Sequence, residues 1–256
     1  MGSYLGKYAE YYNHIYTNKP YSDEAAFVDA CLRRNSKGET KALLELACGT
    51  GRHAFELENL GYQILATDYS EDLLAVARAN AERAGSKVTF ALHDMREAVP
   101  APQKFDAVYC LFDSIGYVQT NDAVLQTLRN AHDALREDGL LILEFWHASA
   151  MLRGYEHERQ ARWPLPNGEL LRTSRTTLHV VRQLAEVHYT LRETDAEGKL
   201  VAELQETQLN RYFLVQEMSL FLQQAGFCSL EWLPAYQAGE TIGPDTWHIM
   251  VVARKE

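Results

Sequence analysis

Ala42 to Glu56, reading ALLELACGTGRHAFE, restricts the possible folds of this chain more than any other stretch. Leu43, Leu44 and Leu46 form a short apolar run, the pattern of a strand buried on both faces. The run leads straight into Ala47-Cys48-Gly49-Thr50-Gly51, where glycines permit a tight turn and small residues let a ligand approach the backbone. Arg52 to Leu60 follows with Phe55, Leu57 and Leu60 at helical spacing. Strand, glycine turn and helix in this order build a nucleotide-type pocket at a helix N-terminus.

Tyr62 to Thr67 reads as the next strand, and Asp68 closes it, 17 residues beyond Gly51. Near that separation a carboxylate reaches ribose hydroxyls, and it suits them because it accepts two hydrogen bonds at once. Gly49-x-Gly51-x-x-Ala54 also satisfies the loose dinucleotide pattern. The glycine turn alone therefore leaves two cofactor classes open.

The rest of the chain repeats the alternation. Ser22, followed by Asp23 and Glu24, predicts a helix start, with a core face to about Arg34. Ser70 caps a helix to about Ala84 that Gly85 stops, and Val88 to His93 reads as the third strand. Phe105 to Phe112 is the fourth strand. A helix then runs from Thr120 or Asn121 through Leu135, stopping around Asp138-Gly139, and Gly139 to Trp146 is the fifth strand. Leu170 to Val181, Leu184 to Arg192 and Leu200 to Asn210 look like three consecutive antiparallel segments. A helix at Leu214 to Ala225 and a hairpin of Ser229 to Tyr236 with His248 to Ala253 complete the pattern. The expectation is an α/β fold, a doubly wound parallel sheet with an inserted small antiparallel sheet. It divides into a cofactor-binding core with N-terminal lid helices (1–150), an inserted lid or dimerisation element (151–211) and the end of the core (212–256).

Tyr4, Tyr8, Tyr12 and Tyr16 recur every fourth residue near the N-terminus, one stripe on a helix. Such a stripe either packs on the domain or supplies phenols to a lid. The net charge of −10, without a dense Lys or Arg block, argues against nucleic acid as the main ligand. Four scattered cysteines, without paired spacing, read as reduced thiols of a cytoplasmic protein, and the nine histidines show no metal-binding spacing. No apolar run approaches a membrane span. Seven arginines between Arg153 and Arg192 are matched by seven acidic residues over nearly the same stretch, so a solvated mixed-charge face is expected there.

Glu45-Leu46-Ala47-Cys48-Gly49-Thr50-Gly51 resembles the first motif of the class I S-adenosylmethionine (SAM) methyltransferases, with Ala47 at the first glycine position. The FDAV strand, the LREDGLLIL segment and the closing hairpin follow the same family order, which implies a seven-stranded Rossmann-like sheet. YYNHIYTNKPY, LHDM, FDSIGYV, LLILEFW and the inserted β segment together resemble bacterial amino-sugar N-methyltransferases that dimethylate nucleotide-linked 3-amino deoxysugars. Glycine and sarcosine N-methyltransferases share the early motifs. The resemblance implies SAM as cofactor, S-adenosylhomocysteine as product and a small-molecule acceptor, with a homodimer through the inserted element as one arrangement. Its cofactor residues would be Tyr16, Tyr21, Ala47, Gly49, Gly51, Asp68, Tyr69 and Leu111. Asp94, by its place at the end of the third strand, either accepts from the adenine amino group, with Met95 packing on the ring, or caps the following turn. Tyr117 and His147 are the expected acceptor-side residues, with Glu144 and Asp113 behind them. Transfer to an oxygen acceptor, or SAM binding without catalysis, are the alternative readings.

Overall fold

The computed structural model describes residues 7–256, with side chains from residue 11 onward. Tyr4 and the side chain of Tyr8 lie outside the described residues. The chain begins with α1 (Lys7–Ile15) and α2 (Tyr21–Asn35). Ser22 does not cap α2: the helix starts one residue earlier, behind Pro20, with no side-chain cap. Proline supplies a fixed φ at the entry, and Asp23 and Glu24 still occupy the first turn.

The apolar run Ala42–Leu46 forms β1, followed by α3 (Arg52–Asn59), β2 (Gln63–Asp68), α4 (Glu71–Ala84) and β3 (Thr89–Leu92). Ser70 caps α4 through a hydrogen bond from Leu73 N, and Gly85 ends it in the left-handed region, as expected. Next come β4 (Phe105–Cys110), α5 (Asn121–Ala134), β5 (Leu135–Trp146) and α6 (Ala148–Gly154). Here the sequence reading misplaces a boundary. The helix ends at Ala134 and the strand begins at Leu135, because Leu135 already pairs with Phe105 of β4.

The inserted sheet has four strands: β6 (Glu158–Leu165), β7 (Gly168–His179), β8 (Leu184–Asp195) and β9 (Leu200–Arg211). The unexpected strand, ERQARWPL, opens on exposed polar residues and holds a proline, which mask a short alternation of half-buried Ala161, Trp163 and Leu165 with exposed Arg162 and Pro164. It is an edge strand, where proline is tolerated. Finally α7 (Val215–Gln224), β10 (Phe227–Pro234) and β11 (His248–Lys255) return to the first sheet.

That sheet has the order β10-β11-β5-β4-β1-β2-β3. β3, β2, β1, β4 and β5 are parallel, while β11 is antiparallel to both neighbours. The connections leave β1 in one direction toward β2 and in the other toward β4, and this reversal opens a crevice at the carboxyl ends of the central strands. Apolar side chains fill both faces: Leu44, Val108, Leu141 and Phe145 on one, Leu43, Ala107, Ile142 and Val252 on the other. The inserted sheet meets the core at two small apolar contacts. Tyr11 and Ile15 pack on Leu170 and Leu191, and Ala148 and Met151 pack on Ala185 and Tyr212. Among the described residues no helix is long and apolar enough to cross a membrane.

Candidate active site

At the end of β1 the chain turns through three left-handed residues, Ala47 (φ 57°), Gly49 (φ 56°) and Gly51 (φ 79°). Gly51 is required by space as well as conformation, since a Cβ there would lie 2.8 Å from Phe90 Cζ. Asp68, at the end of β2, is buried and fixes this turn. Its Oδ2 accepts from Gly49 N at 2.8 Å, and its Oδ1 accepts from Ser70 N at 2.9 Å. Burial raises its pKa while these backbone bonds oppose the rise. The Tyr69 backbone N–H is a third partner of the same carboxylate, which leaves it room for one further bond, from a ligand hydroxyl.

A cavity of about 660 Å³ opens beside this turn, walled by Ala47, Tyr69, Asp94, Met95 and Tyr117. Asp94 reaches the wall with its carboxylate engaged by the Arg96 guanidinium, which holds its pKa below the usual value. Tyr69 is half-exposed and Met95 buried. On the other side of the turn a narrow cleft is lined by Tyr21, Glu45, Ala47, Leu111 and Phe112. Glu45 is 2% exposed and its Oε2 has no hydrogen-bond partner. Burial pushes its pKa up to about 8. An orphaned buried carboxyl oxygen beside the cleft suits an ammonium group, and a roomy cavity next to Asp68 suits a nucleoside. The two halves match an amino-acid nucleoside such as SAM.

A third cavity, of about 440 Å³, lies between the core and the inserted sheet, bounded by Tyr16, Phe112, Tyr117, Arg172, Tyr189 and His248 among others. Tyr117 also borders the nucleoside cavity, and Phe112 also borders the cleft, so each is a wall shared at the junction. Tyr117 Oη donates to Gln208 Oε1 at 2.9 Å, a bond from the core to β9. Tyr16 packs edge-on against Phe112 at 5.1 Å and at a tilt against Tyr12 at 4.6 Å. The two described tyrosines of the stripe therefore both pack and face the site.

His147 is not brought to this cavity. It is buried, and its Nδ1 donates to the Thr246 carbonyl at 3.0 Å, holding the loop before β11. The histidine at the cavity wall is His248. Its Nδ1 lies 3.2 Å from Asp113 Oδ2 and 3.1 Å from Glu144 Oε1. Asp113 and Glu144 are 2% and 1% exposed. Attraction to Asp113 raises the His248 pKa despite burial, so the ring is an imidazolium at neutral pH. Burial raises Asp113, whereas bonds from His248, Tyr236 and Phe112 N hold Glu144 below its usual value. Sequence reasoning missed His248 because it stands alone at the start of a strand. Its pairing with Trp146 was the available signal: the first residue of an antiparallel last strand falls at the carboxyl end of β5.

Residues 43–139 match the family model described as a methyltransferase domain. A Streptomyces fradiae protein named dTDP-3-amino-3,6-dideoxy-alpha-D-glucopyranose N,N-dimethyltransferase is 31% identical over 148 residues, covering 57% of this chain and 56% of its own length. A Saccharopolyspora spinosa protein named dTDP-4-amino-2,3,4,6-tetradeoxy-D-glucose N,N-dimethyltransferase is 25% identical over 239 residues, 92% of this chain and 91% of its own length. The chain spans about half the length of most curated relatives it matches. In fold it is similar to the SAM-bound amino pentose methyltransferase CalS10 of Micromonospora echinaspora, with a TM-score of 0.77 at 22% identity, covering 100% of this chain and 99% of that one.

Proposed function

We propose that this chain, which carries a methyltransferase domain over residues 43–139, transfers a methyl group from SAM to the amine of a small molecule, an amino sugar linked to a nucleotide. The observation that carries the reading is that three spaces share walls in pairs: Ala47 between the cleft and the nucleoside cavity, Phe112 between the cleft and the cavity under the inserted sheet, and Tyr117 between that cavity and the nucleoside cavity. A group held by Glu45 and Asp68 would present its reactive centre at that junction. An acceptor under the inserted sheet would meet it there.

SAM, when bound, supplies an electrophilic methyl on a sulfonium centre. The work left to the protein is alignment, exclusion of water and handling of one proton. Asp68 and the glycine turn fix the nucleoside end, and Glu45 the amino end. Tyr16 and Phe112 close the apolar side of the junction. Arg172, stacked over Trp163 and Tyr189 at 5.1 and 5.3 Å, lines the acceptor cavity together with Arg159. A guanidinium suits the diphosphate of a nucleotide-linked sugar. The names of the two relatives agree with that acceptor class.

Incubation with SAM and dTDP-3-amino-3,6-dideoxyglucose, followed by mass spectrometry, tests the reading. Mass gains of one or two methyl groups on the amine support it. Methylation confined to hydroxyl or carboxyl acceptors in a parallel panel would overturn it in favour of O-transfer.

A further inference from the structure

At the acceptor cavity two buried carboxylates share one imidazolium, so the group Asp113, Glu144 and His248 carries one surplus negative charge. The hydrogen bonds divide it unequally. Glu144 is saturated: Oε1 takes His248, and Oε2 accepts from Phe112 N at 2.7 Å and Tyr236 Oη at 2.6 Å. Asp113 is not. Its Oδ2 takes His248, while its Oδ1 is buried and has no partner of hydrogen-bond geometry. The Trp146 indole lies close enough to donate a weak hydrogen bond to the same carboxyl, so Oδ1 is under-satisfied rather than isolated. A buried carboxylate oxygen without a well-formed hydrogen bond is costly, and such groups are retained where they are used.

The backbone tells the same story. Phe112 and Asp113 are both left-handed, at φ 55° and 59°, although neither is glycine. Two successive residues in that region cost energy that surrounding contacts must offset, and such strain concentrates at active sites. Here the Glu144 bond to Phe112 N and the Asn210 Nδ2 bond to the Asp113 carbonyl hold it in place. The result aims Asp113 at the wall of the cavity that also holds Tyr117 and Trp146.

Resting on the amine reading above, we infer that Asp113 is the base that deprotonates the acceptor ammonium, and that His248 and Glu144 are its positioning residues. The ammonium N–H bond breaks as an O–H bond forms at Asp113 Oδ1. The freed lone pair forms the N–C bond to the methyl, the C–S bond breaks, and its electron pair remains on sulfur as the neutral thioether. His248 stays paired with Glu144 throughout, so the proton can reside on Asp113 without stranding an unpaired imidazolium. It leaves afterwards through the cavity of about 550 Å³ that His248, Glu144 and Tyr236 line on the far side. The groups that face Asp113 are His248 on β11, Glu144 on β5, Cys110 on β4 and Tyr236 after β10. Of these only Asp113 combines a raised pKa, an oxygen without a well-formed hydrogen bond and a place in the acceptor-cavity wall.

The test compares wild type, Asp113→Asn and Asp113→Ser with SAM and dTDP-3-amino-3,6-dideoxyglucose across pH 6 to 10, with S-adenosylhomocysteine affinity by calorimetry as the check on folding. Expected for both variants is unchanged product affinity and a kcat about 10²-fold lower at pH 7. That deficit should shrink as pH rises and the free amine becomes abundant. A purely structural role would lower the rate equally at every pH, and that outcome, or a variant equal to wild type at pH 7, overturns the inference while leaving the amine reading intact. Wild-type enzyme that methylates only oxygen acceptors would remove the amine reading and this inference together.

Discussion

The amide of Gly49 donates a 2.8 Å hydrogen bond to Asp68 Oδ2, joining the turn after β1 to the end of β2 beside the nucleoside cavity. The carboxylate is thus both a brace for the glycine turn and a candidate ligand for ribose. Those two duties can be separated by substitution.

Asp68→Asn keeps one acceptor and loses at least one backbone bond; Asp68→Ala loses those from Gly49, Ser70 and Tyr69 alike. Hydrogen bonds to a charged group are worth about 1.5–3 kcal/mol each. We expect S-adenosylhomocysteine affinity to fall about tenfold for Asn and about a hundredfold or more for Ala, by calorimetry. Equal affinity for all three proteins would remove Asp68 from the site.

Tyr117→Phe deletes the bond to Gln208 and leaves the ring at the junction. The expected result is product affinity within about twofold of wild type and turnover about tenfold lower, the equivalent of about 1.4 kcal/mol. Unchanged kinetics would make Tyr117 a packing residue.

Gly116 lies where β9 crosses the loop after β4. A Cβ there would sit 1.8 Å from Asn210 Oδ1 and 2.6 Å from the Arg211 carbonyl. Gly116→Ala should therefore lower the melting temperature by about 2–12 °C, from an overpacking cost of about 1–3 kcal/mol. Gly38→Ala, with nothing within 4 Å, is the control and should leave it unchanged.

Glu45 gives a pH dependence of definite sign. Its ordinary value of 4.5 rises to about 8 in the folded protein through burial. Between those values the folded state binds a proton that the unfolded chain has released, so stability falls as pH rises through the window. The slope is on the order of 1 kcal/mol per pH unit. Glu45→Gln should remove it, making the variant more stable than wild type at pH 8 and nearly equal to it at pH 4.5. A pH-independent difference would contradict the assignment.

The seven-stranded sheet was legible because each of its buried strands is a short apolar run bounded by a turn or cap, as in LLEL and FDAVYC. β6 was not, because its apolar alternation is only Ala161, Trp163 and Leu165, interrupted by Pro164 and preceded by exposed polar residues. Asp68 was legible through its local spacing from Gly51. Asp113 and Glu144 were legible as residues at the carboxyl ends of β4 and β5, but His248 joins them only because β11 lies beside β5 in the sheet, which no local spacing encodes. His147 stood next to the right strand end but turned its ring to a loop carbonyl, a choice made by the Thr246 backbone rather than by its own sequence context.

Calorimetric titration of the wild-type protein with S-adenosylhomocysteine, beside NAD and NADP, addresses the cofactor site most directly. One equivalent of S-adenosylhomocysteine binding, with no heat from either dinucleotide, is the predicted result. Binding of NAD or NADP instead would assign the glycine turn and Asp68 to a dinucleotide, and the methyl-transfer account would fall.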